Sequence, residues 1–328
     1  VDHLYFGDLG GQVFRIDLNN KKDTPAASFG HNVIRLANLA TTDSGVAITN
    51  GDAPRFYQPP TITIHDEGSE TFILVAIASG DRSTPLDIAP SKGRESIKPF
   101  DPLQNRPTNK VYGLIDRDFV ERDLFKSTYT TFKSKDITLN QLQKNPQTLP
   151  SFTAVKNTFF GGSSKHGWYR SLSSDYLGNE VASRTPGGVK AFEEEPIAIK
   201  NNLFLPVYDP EGTGVEDADP CQPRIIGESN RQQYCLPYGT CYKDGNKDIE
   251  AEKRTGMVML NGVNQNVLGA GIRGIALGPT GDGDGGTNDD PNSCGALTLI
   301  GNIKGAGEWK CSRILNPIRW YEKNVAPK

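Results

Sequence analysis

The sequence predicts an all-β protein, and three observations carry that expectation. Gly (35) and Pro (22) together make up about 17% of the 328 residues. Average usage is roughly 12%, and both residues weaken helix interiors. Short runs rich in Val, Ile, Tyr and Phe recur along the chain, punctuated by Gly, Pro, Asn and Asp, as strands and turns require. Few stretches compete as helices.

The elements follow in order. From Leu4 to Leu18, two alternating apolar runs flank Asp8-Leu9-Gly10-Gly11, a strong β-hairpin signal. Further strand runs fall at 61–64, 71–78, 111–115, 189–192, 202–208, 231–238, 256–260 and 295–302. The best helical stretch is Thr138-Leu139-Asn140-Gln141-Leu142-Gln143, with Thr138 as N-cap and Gln141 completing a capping box. It sits in 117–165, which reads as an insertion between strands. The segments 209–230 and 278–293 read as two more. An apolar strand repeatedly ends near a Gly-Asp or Thr-Gly step, and a second follows a tight turn. That is the pattern of a four-stranded propeller blade. The length itself admits about two domains or one large β domain.

Composition and motif searches exclude several function classes. With 36 basic and 39 acidic residues, the chain announces no electrostatic footprint for nucleic acid. No apolar run approaches the ~18 residues of a membrane-spanning helix. Val1-Asp2-His3 leads straight into a strand pattern, so no signal peptide is expected and the chain reads as a mature or excised piece. His3, His31, His65 and His166 share no ligand-like spacing, and neither a G-x-S-x-G elbow nor a Walker A sequence is present. Gly269-Ala270-Gly271-Ile272-Arg273-Gly274 matches G-x-G-x-x-G. A dinucleotide site needs a helix to start there. Ile275-Ala276-Leu277-Gly278-Pro279 cannot supply one, so the match reads as strand or turn. Glu193-Glu194-Glu195 reads as a solvated face. Trp168-Tyr169 and Trp320-Tyr321 read as buried aromatics rather than a sugar-stacking platform.

The five cysteines are Cys221, Cys235, Cys241, Cys294 and Cys311. None forms a C-x2-C pair, so metal spacing is absent. Their loop-rich context fits disulfides and an oxidising compartment. Cys294 and Cys311 flank the apolar run near 296–300 and suit a hairpin staple. Cys235 and Cys241 suit a bridge closing the turn Leu236-Pro237-Tyr238-Gly239, with Cys221 an equal competitor. One cysteine stays unmatched.

Several segments together resemble the PilC/PilY-type type IV pilus biogenesis and tip-adhesin family, in its C-terminal, quinoprotein-like β-propeller. Tyr5-Phe6-Gly7-Asp8-Leu9-Gly10-Gly11-Gln12-Val13-Phe14-Arg15-Ile16-Asp17 is similar to the family's YxGDxxGxxWRxDL hairpin, with Phe14 where many relatives carry Trp. Ala76-Ile77-Ala78-Ser79-Gly80-Asp81-Arg82, then Leu86-Asp87, then Asn109-Lys110-Val111-Tyr112-Gly113-Leu114-Ile115-Asp116 resembles a GTGR…D…YGIxD blade. Gly167-Trp168-Tyr169-Arg170-Ser171-Leu172, residues 180–184 and Pro220-Cys221 resemble GWYLDL…GERV…P…C, and Thr255-Gly256 resembles the turn closing the next strand. The likeness spans about 2–260. The segment 221–241 departs from it by being richer in cysteine.

The resemblance implies the C-terminal part of one propeller over 1–328. It implies a non-enzymatic role in pilus biogenesis, retraction control and surface attachment, in the periplasm, at the outer surface and at the pilus tip of a Gram-negative bacterium. Implied partners are the rest of the propeller, packing against 1–80, minor pilins, and a host or abiotic surface ligand. It also implies calcium, with Asp2 in the position of the last ligand of a family loop. A second acidic run offers Asp244, Asn246, Asp248 and Glu252 at loop positions 1, 3, 5 and 9. There Ile249 replaces the usual turn glycine, and Lys243 and Lys247 repel a cation. A third run, Asp282–Asp290, reads as an exposed Gly-rich loop. Two alternatives remain: a quinoprotein-type dehydrogenase propeller fragment binding PQQ, and a pilus-independent glycan-binding module.

Overall fold

The computed structural model describes residues 3–300 apart from 20–28, 49–52, 69, 84, 86–107, 122, 127, 163, 185–187, 192–194, 213–226, 261–262 and 280–296. The chain divides into two units, Val1–Gly274 and Ile275–Lys328. The first runs β1 (His3–Gly7), β2 (Gln12–Leu18), β3 (Gly30–Asn38), β4 (Thr61–Asp66), β5 (Thr71–Ala78) and β6 (Lys110–Asp116). Then come β7 (Ile137–Thr138), β8 (Gln143–Lys144), helix α1 (Phe152–Phe160), β9 (Gly167–Ser171), β10 (Lys190–Ala191) and β11 (Ile197–Ile199). It closes with β12 (Asn202–Asp209), β13 (Glu228–Cys235), β14 (Tyr242–Lys243), β15 (Asn246–Lys247), the single turn α2 (Ile249–Glu252), β16 (Met259–Leu260), β17 (Val263–Asn264) and β18 (Val267–Ala270). In the second unit, β19 (Ala276–Pro279) pairs antiparallel with β20 (Leu297–Ile300).

Three sheets organise the first unit. Their strand orders are β1-β2-β3-β7, β4-β5-β6-β9-β8, and β10-β12-β13-β18 with β11 also on β12. Pairing is antiparallel except where β7 joins β3 and β8 joins β9 in parallel. Each of these sheets is open.

Side-chain alternation stacks the sheets face to face. On β5, Ile73, Val75 and Ile77 join a core with Val13 and Leu36 of the first sheet. Phe72, Leu74 and Ala76 point the other way, into a core with Leu203, Leu205 and Val207 of the third. A strand buried on both faces reads as a continuous apolar run, which is why 71–78 is so evident in the sequence. The first hairpin is equally local in origin. The Asp8 carboxylate accepts the backbone N–H groups of Gly10 and Gln12 at 2.9 and 2.7 Å, and Gly11 takes the left-handed φ of 80° that closes the turn.

The structure corrects the helix expectation. The capping interaction forms, with Gln141 Oε1 accepting from Thr138 N at 2.9 Å. It caps only a 3-10 turn, Leu139–Gln141, because β7 and β8 on either side are drawn into two different sheets. The longest helix among the described residues is α1, absent from the sequence reading. Ser151 caps it by accepting from Ala154 N at 3.2 Å, and Val155 and Phe159 are its buried residues. The excursion 117–165 leaves β6 and returns as β9, its antiparallel neighbour.

Among the described residues Trp168 is the largest fully buried side chain, and glycines make its space. A Cβ on Gly113, directly across the β6–β9 ladder, would lie 2.5 Å from the indole. A Cβ on Gly239 would lie 2.4 Å from the same indole. Gly113→Ala is therefore expected to lower the unfolding free energy by about 1–3 kcal/mol, the cost of overpacking. Denaturant midpoints at unchanged m-value would check this.

Candidate functional site

Two buried joints hold the stacked sheets together. In the first, Arg15 of β2 faces the second sheet, fully buried. Its Nη1 donates to Asp116 Oδ1 and Oδ2 at 2.8 and 2.7 Å, and its Nε lies 2.8 Å from Asp17 Oδ1. Tyr5 Oη donates to Asp116 Oδ2 at 2.9 Å. Asp118, also buried, accepts from the Lys133 and Ser134 backbone N–H groups at 2.8 and 2.9 Å. His3 Nδ1 lies 2.9 Å from Asp17 Oδ1, and Asn32 donates to Asp17 Oδ2 at 3.1 Å. Burial pushes the Asp17 carboxyl up, but the His3 hydrogen bond, the Arg15 charge and the Asn32 amide outweigh it and hold the group below its ordinary value.

The second joint links β9 to the third sheet. Trp168 Nε1 donates to Pro237 O at 2.7 Å. Arg170 Nη1 donates to Thr255 Oγ1 at 2.9 Å and reaches Gly239 O at 3.4 Å, while its Nη2 donates to Asp175 O at 3.1 Å. The guanidinium lies 5.2 Å from the Tyr234 ring centroid and 3.6 Å from Glu252 Oε1. Pro237 and Gly239 belong to a loop closed by a disulfide between Cys235 and Cys241.

On this loop opens a groove of about 370 Å³, the candidate working surface of the first unit. Its walls are tight turns. Lys200 and Asn201, both at positive φ, join β11 to β12, and Asp244-Gly245, also at positive φ, join β14 to β15. Glu67, Phe152, Tyr238 and Tyr242 add carboxylate and aromatic surface. Burial and the neighbouring Glu67 carboxylate push the Tyr238 phenol well up, so it stays a neutral hydroxyl. The groove presents acidic, amide and aromatic groups together.

The sequence-derived site residues fare differently. Asp244 and Asn246 are exposed on the β14–β15 hairpin. Asp248 caps α2, accepting from Ala251 N at 3.0 Å. Glu252 is buried, and its Oε2 accepts from Thr240 Oγ1 at 3.1 Å and from Cys241 N at 2.7 Å. The Glu252 carboxylate is thus engaged with the disulfide loop, while Asp244 and Asn246 stand exposed on the hairpin. Among the described residues, no three His, Cys, Asp or Glu side chains converge on a metal-sized site. Asp2, Cys221, Cys294 and Cys311 lie outside the described residues, as do Trp320-Tyr321 and Asp282–Asp290. Trp168 offers no sugar platform, being buried, and Tyr169 Oη donates to Asp43 Oδ1 at 3.0 Å. Both joints were missed as sites, although the motifs that carry the resemblance contain Tyr5, Arg15, Asp17, Asp116 and Arg170.

Fold and site thus define an all-β scaffold whose joined sheets present loops around a polar groove. The crystal structure of the Pseudomonas aeruginosa PilY1 C-terminal domain is similar to this chain, with 18% identity and a TM-score of 0.47. The match covers 91% of this chain and 56% of that one, so the chain spans little more than half of that domain. No protein-family model and no curated protein matches the sequence. Among the described residues, no helix is long and apolar enough to cross a membrane.

Arg15→Met leaves buried carboxylates without their cation and should cost about 3–5 kcal/mol, read by chemical unfolding. Because the Asp17 pKa is lowered on folding, its contribution is complete above the ordinary carboxylate value and is lost as pH falls through the folded value. The stability gap between the wild type and Asp17→Asn should therefore narrow progressively below about pH 4. A gap independent of pH in acid would contradict this. Replacing Cys235 and Cys241 by Ser should cost about 2 kcal/mol, as a short closed loop predicts. Reduction of the wild-type chain should match it in non-reducing and reducing melts.

Proposed function

We propose that this chain is part of a type IV pilus-associated surface protein, without enzymatic activity, that supports pilus biogenesis, retraction control and attachment. One observation carries the reading. The residues that carry the family resemblance, from Tyr5 and Arg15 through Gly113 and Asp116 to Trp168 and Arg170, are those that interlock in the two buried joints. Short motifs matched by accident would have no reason to meet. In this reading the three sheets are successive propeller blades, and the groove and loop rims form the working surface. The partners are minor pilins and a host or abiotic surface ligand, met in the periplasm or at the pilus tip. Calcium modulation belongs to the same reading through Asp2. Ion binding there would neutralise carboxylates and order a loop.

Deleting the gene in its source bacterium tests this. Surface pili and attachment should fall and return on complementation with the wild-type gene. Normal pili and attachment in the deletion strain would overturn the proposal. Two parallel assays separate the competitors. Turnover with added quinone and calcium would favour a dehydrogenase, and glycan-array binding alongside normal pili would favour an independent lectin.

A further inference from the structure

The groove holds polar groups that the chain itself leaves unanswered. Tyr238 lines it and is only 4% exposed, yet among the described residues its hydroxyl has no hydrogen-bond partner. The Glu67 carboxylate stands near enough to push the phenol's pKa up, but not in hydrogen-bonding geometry. Tyr242, half-buried, lines the same groove, and its hydroxyl is also buried without a partner among the described residues. A buried hydroxyl left unsatisfied is costly. One bound group that meets both would remove the cost.

The charge of the lining selects the kind of group. Glu67, Asp244 and Asp248 bring carboxylates, and Lys200 brings one ammonium, so negative charge is in excess. Lys247 of the same hairpin is engaged elsewhere, its ammonium donating to Gln147 O, and Lys243 is not part of the lining. Aromatic rings add the negative faces of their π-systems, which attract cations. The groove's own residues already display the pairing. Lys156 Nζ lies 4.9 Å from the Phe152 ring centroid and 3.3 Å from Glu67 Oε2, and both Phe152 and Glu67 are lining residues. A phenol hydroxyl, moreover, keeps lone pairs that can accept from a further donor.

We infer that the groove binds a primary ammonium group, as on a lysine side chain, received by the Tyr238 and Tyr242 hydroxyl oxygens and the Asp244 and Asp248 carboxylates. This rests on the groove being the working surface proposed above, and adds the chemistry of what docks there. Its test needs no pili, so a failure here is distinct from a failure of the pilus reading.

The probe is Nα-acetyl-lysine amide, titrated into the full chain at neutral pH and constant ionic strength. The readout is the Tyr238 and Tyr242 ring resonances by NMR, assigned by their loss in the Tyr→Phe variants. Both rings should shift saturably with the probe. The Nε-acetylated probe, which lacks the charge, should leave them unmoved. Tyr238→Phe keeps the ring and removes only the hydroxyl, so it should weaken binding about tenfold, the worth of a hydrogen bond to a charged group. Asp244→Asn, at an exposed tip, should weaken binding several-fold. The denaturation midpoint of Tyr238→Phe without probe should be unchanged or higher, because no internal hydrogen bond is lost. A lower midpoint would show that the hydroxyl is satisfied within the chain and would overturn the inference. So would rings that ignore the probe, an equal response to the Nε-acetylated form, or undiminished binding by Tyr238→Phe.

Discussion

The structure depends on one constraint: each stacked sheet anchors the next through a buried arginine. Apolar faces alone bring sheets together without fixing their register, because hydrophobic attraction has no direction. Arg15 removes that freedom. Its guanidinium must meet Asp116 on another sheet, 101 residues away. A one-residue slip of β2 would turn Arg15 to the other face. The desolvation cost of the pair is large, and excellent geometry with supplementary hydrogen bonds is what offsets it. Tyr5, Asn32, His3 and the Asp118 backbone amide supply those bonds.

The second joint solves the same problem with different chemistry. Arg170 meets mostly neutral acceptors, carbonyl and hydroxyl oxygens, and an aromatic face. Glu252 stands further off and is held by Thr240 and the Cys241 amide. The joint therefore includes the disulfide loop, and that loop is a wall of the groove. Gly239 links the two roles. Its carbonyl accepts from Arg170, and its missing side chain admits Trp168. The residue types of the GWYR segment follow from this: Trp fills the interface, and Arg locks it.

Much of the fold was legible in the sequence because its signals are local. Hairpin turns, alternation and the doubly buried β5 each leave a mark within a few residues. β3 escaped notice because its sequence, Gly30–Asn38, pairs with β2 through two register shifts, and bulges break the alternation a reader counts. Helix α1 escaped because its cap, Ser151, precedes only a short apolar stripe. The joints were illegible for another reason. With 36 basic and 39 acidic residues, nothing local says which pair meets across a hundred positions. The arrangement of 244–252 was illegible on the same ground. Spacing along the chain did not reveal that α2 turns Glu252 inward.

Because Glu252 reaches both the loop and Arg170, the groove and the joint are mechanically one object. A ligand that shifted the 240–252 backbone would have to move a carboxylate fixed by two hydrogen bonds and facing a buried cation. Such a rim is anchored where it meets the sheet and exposes its side chains at its tips, Asp244-Gly245 and Lys200-Asn201. Those tips point no buried side chain into the core, so residues that tolerate their left-handed backbone can replace them without disturbing either joint. A scaffold locked internally by arginines and variable at its turns is suited to holding one shape while its contacts diversify.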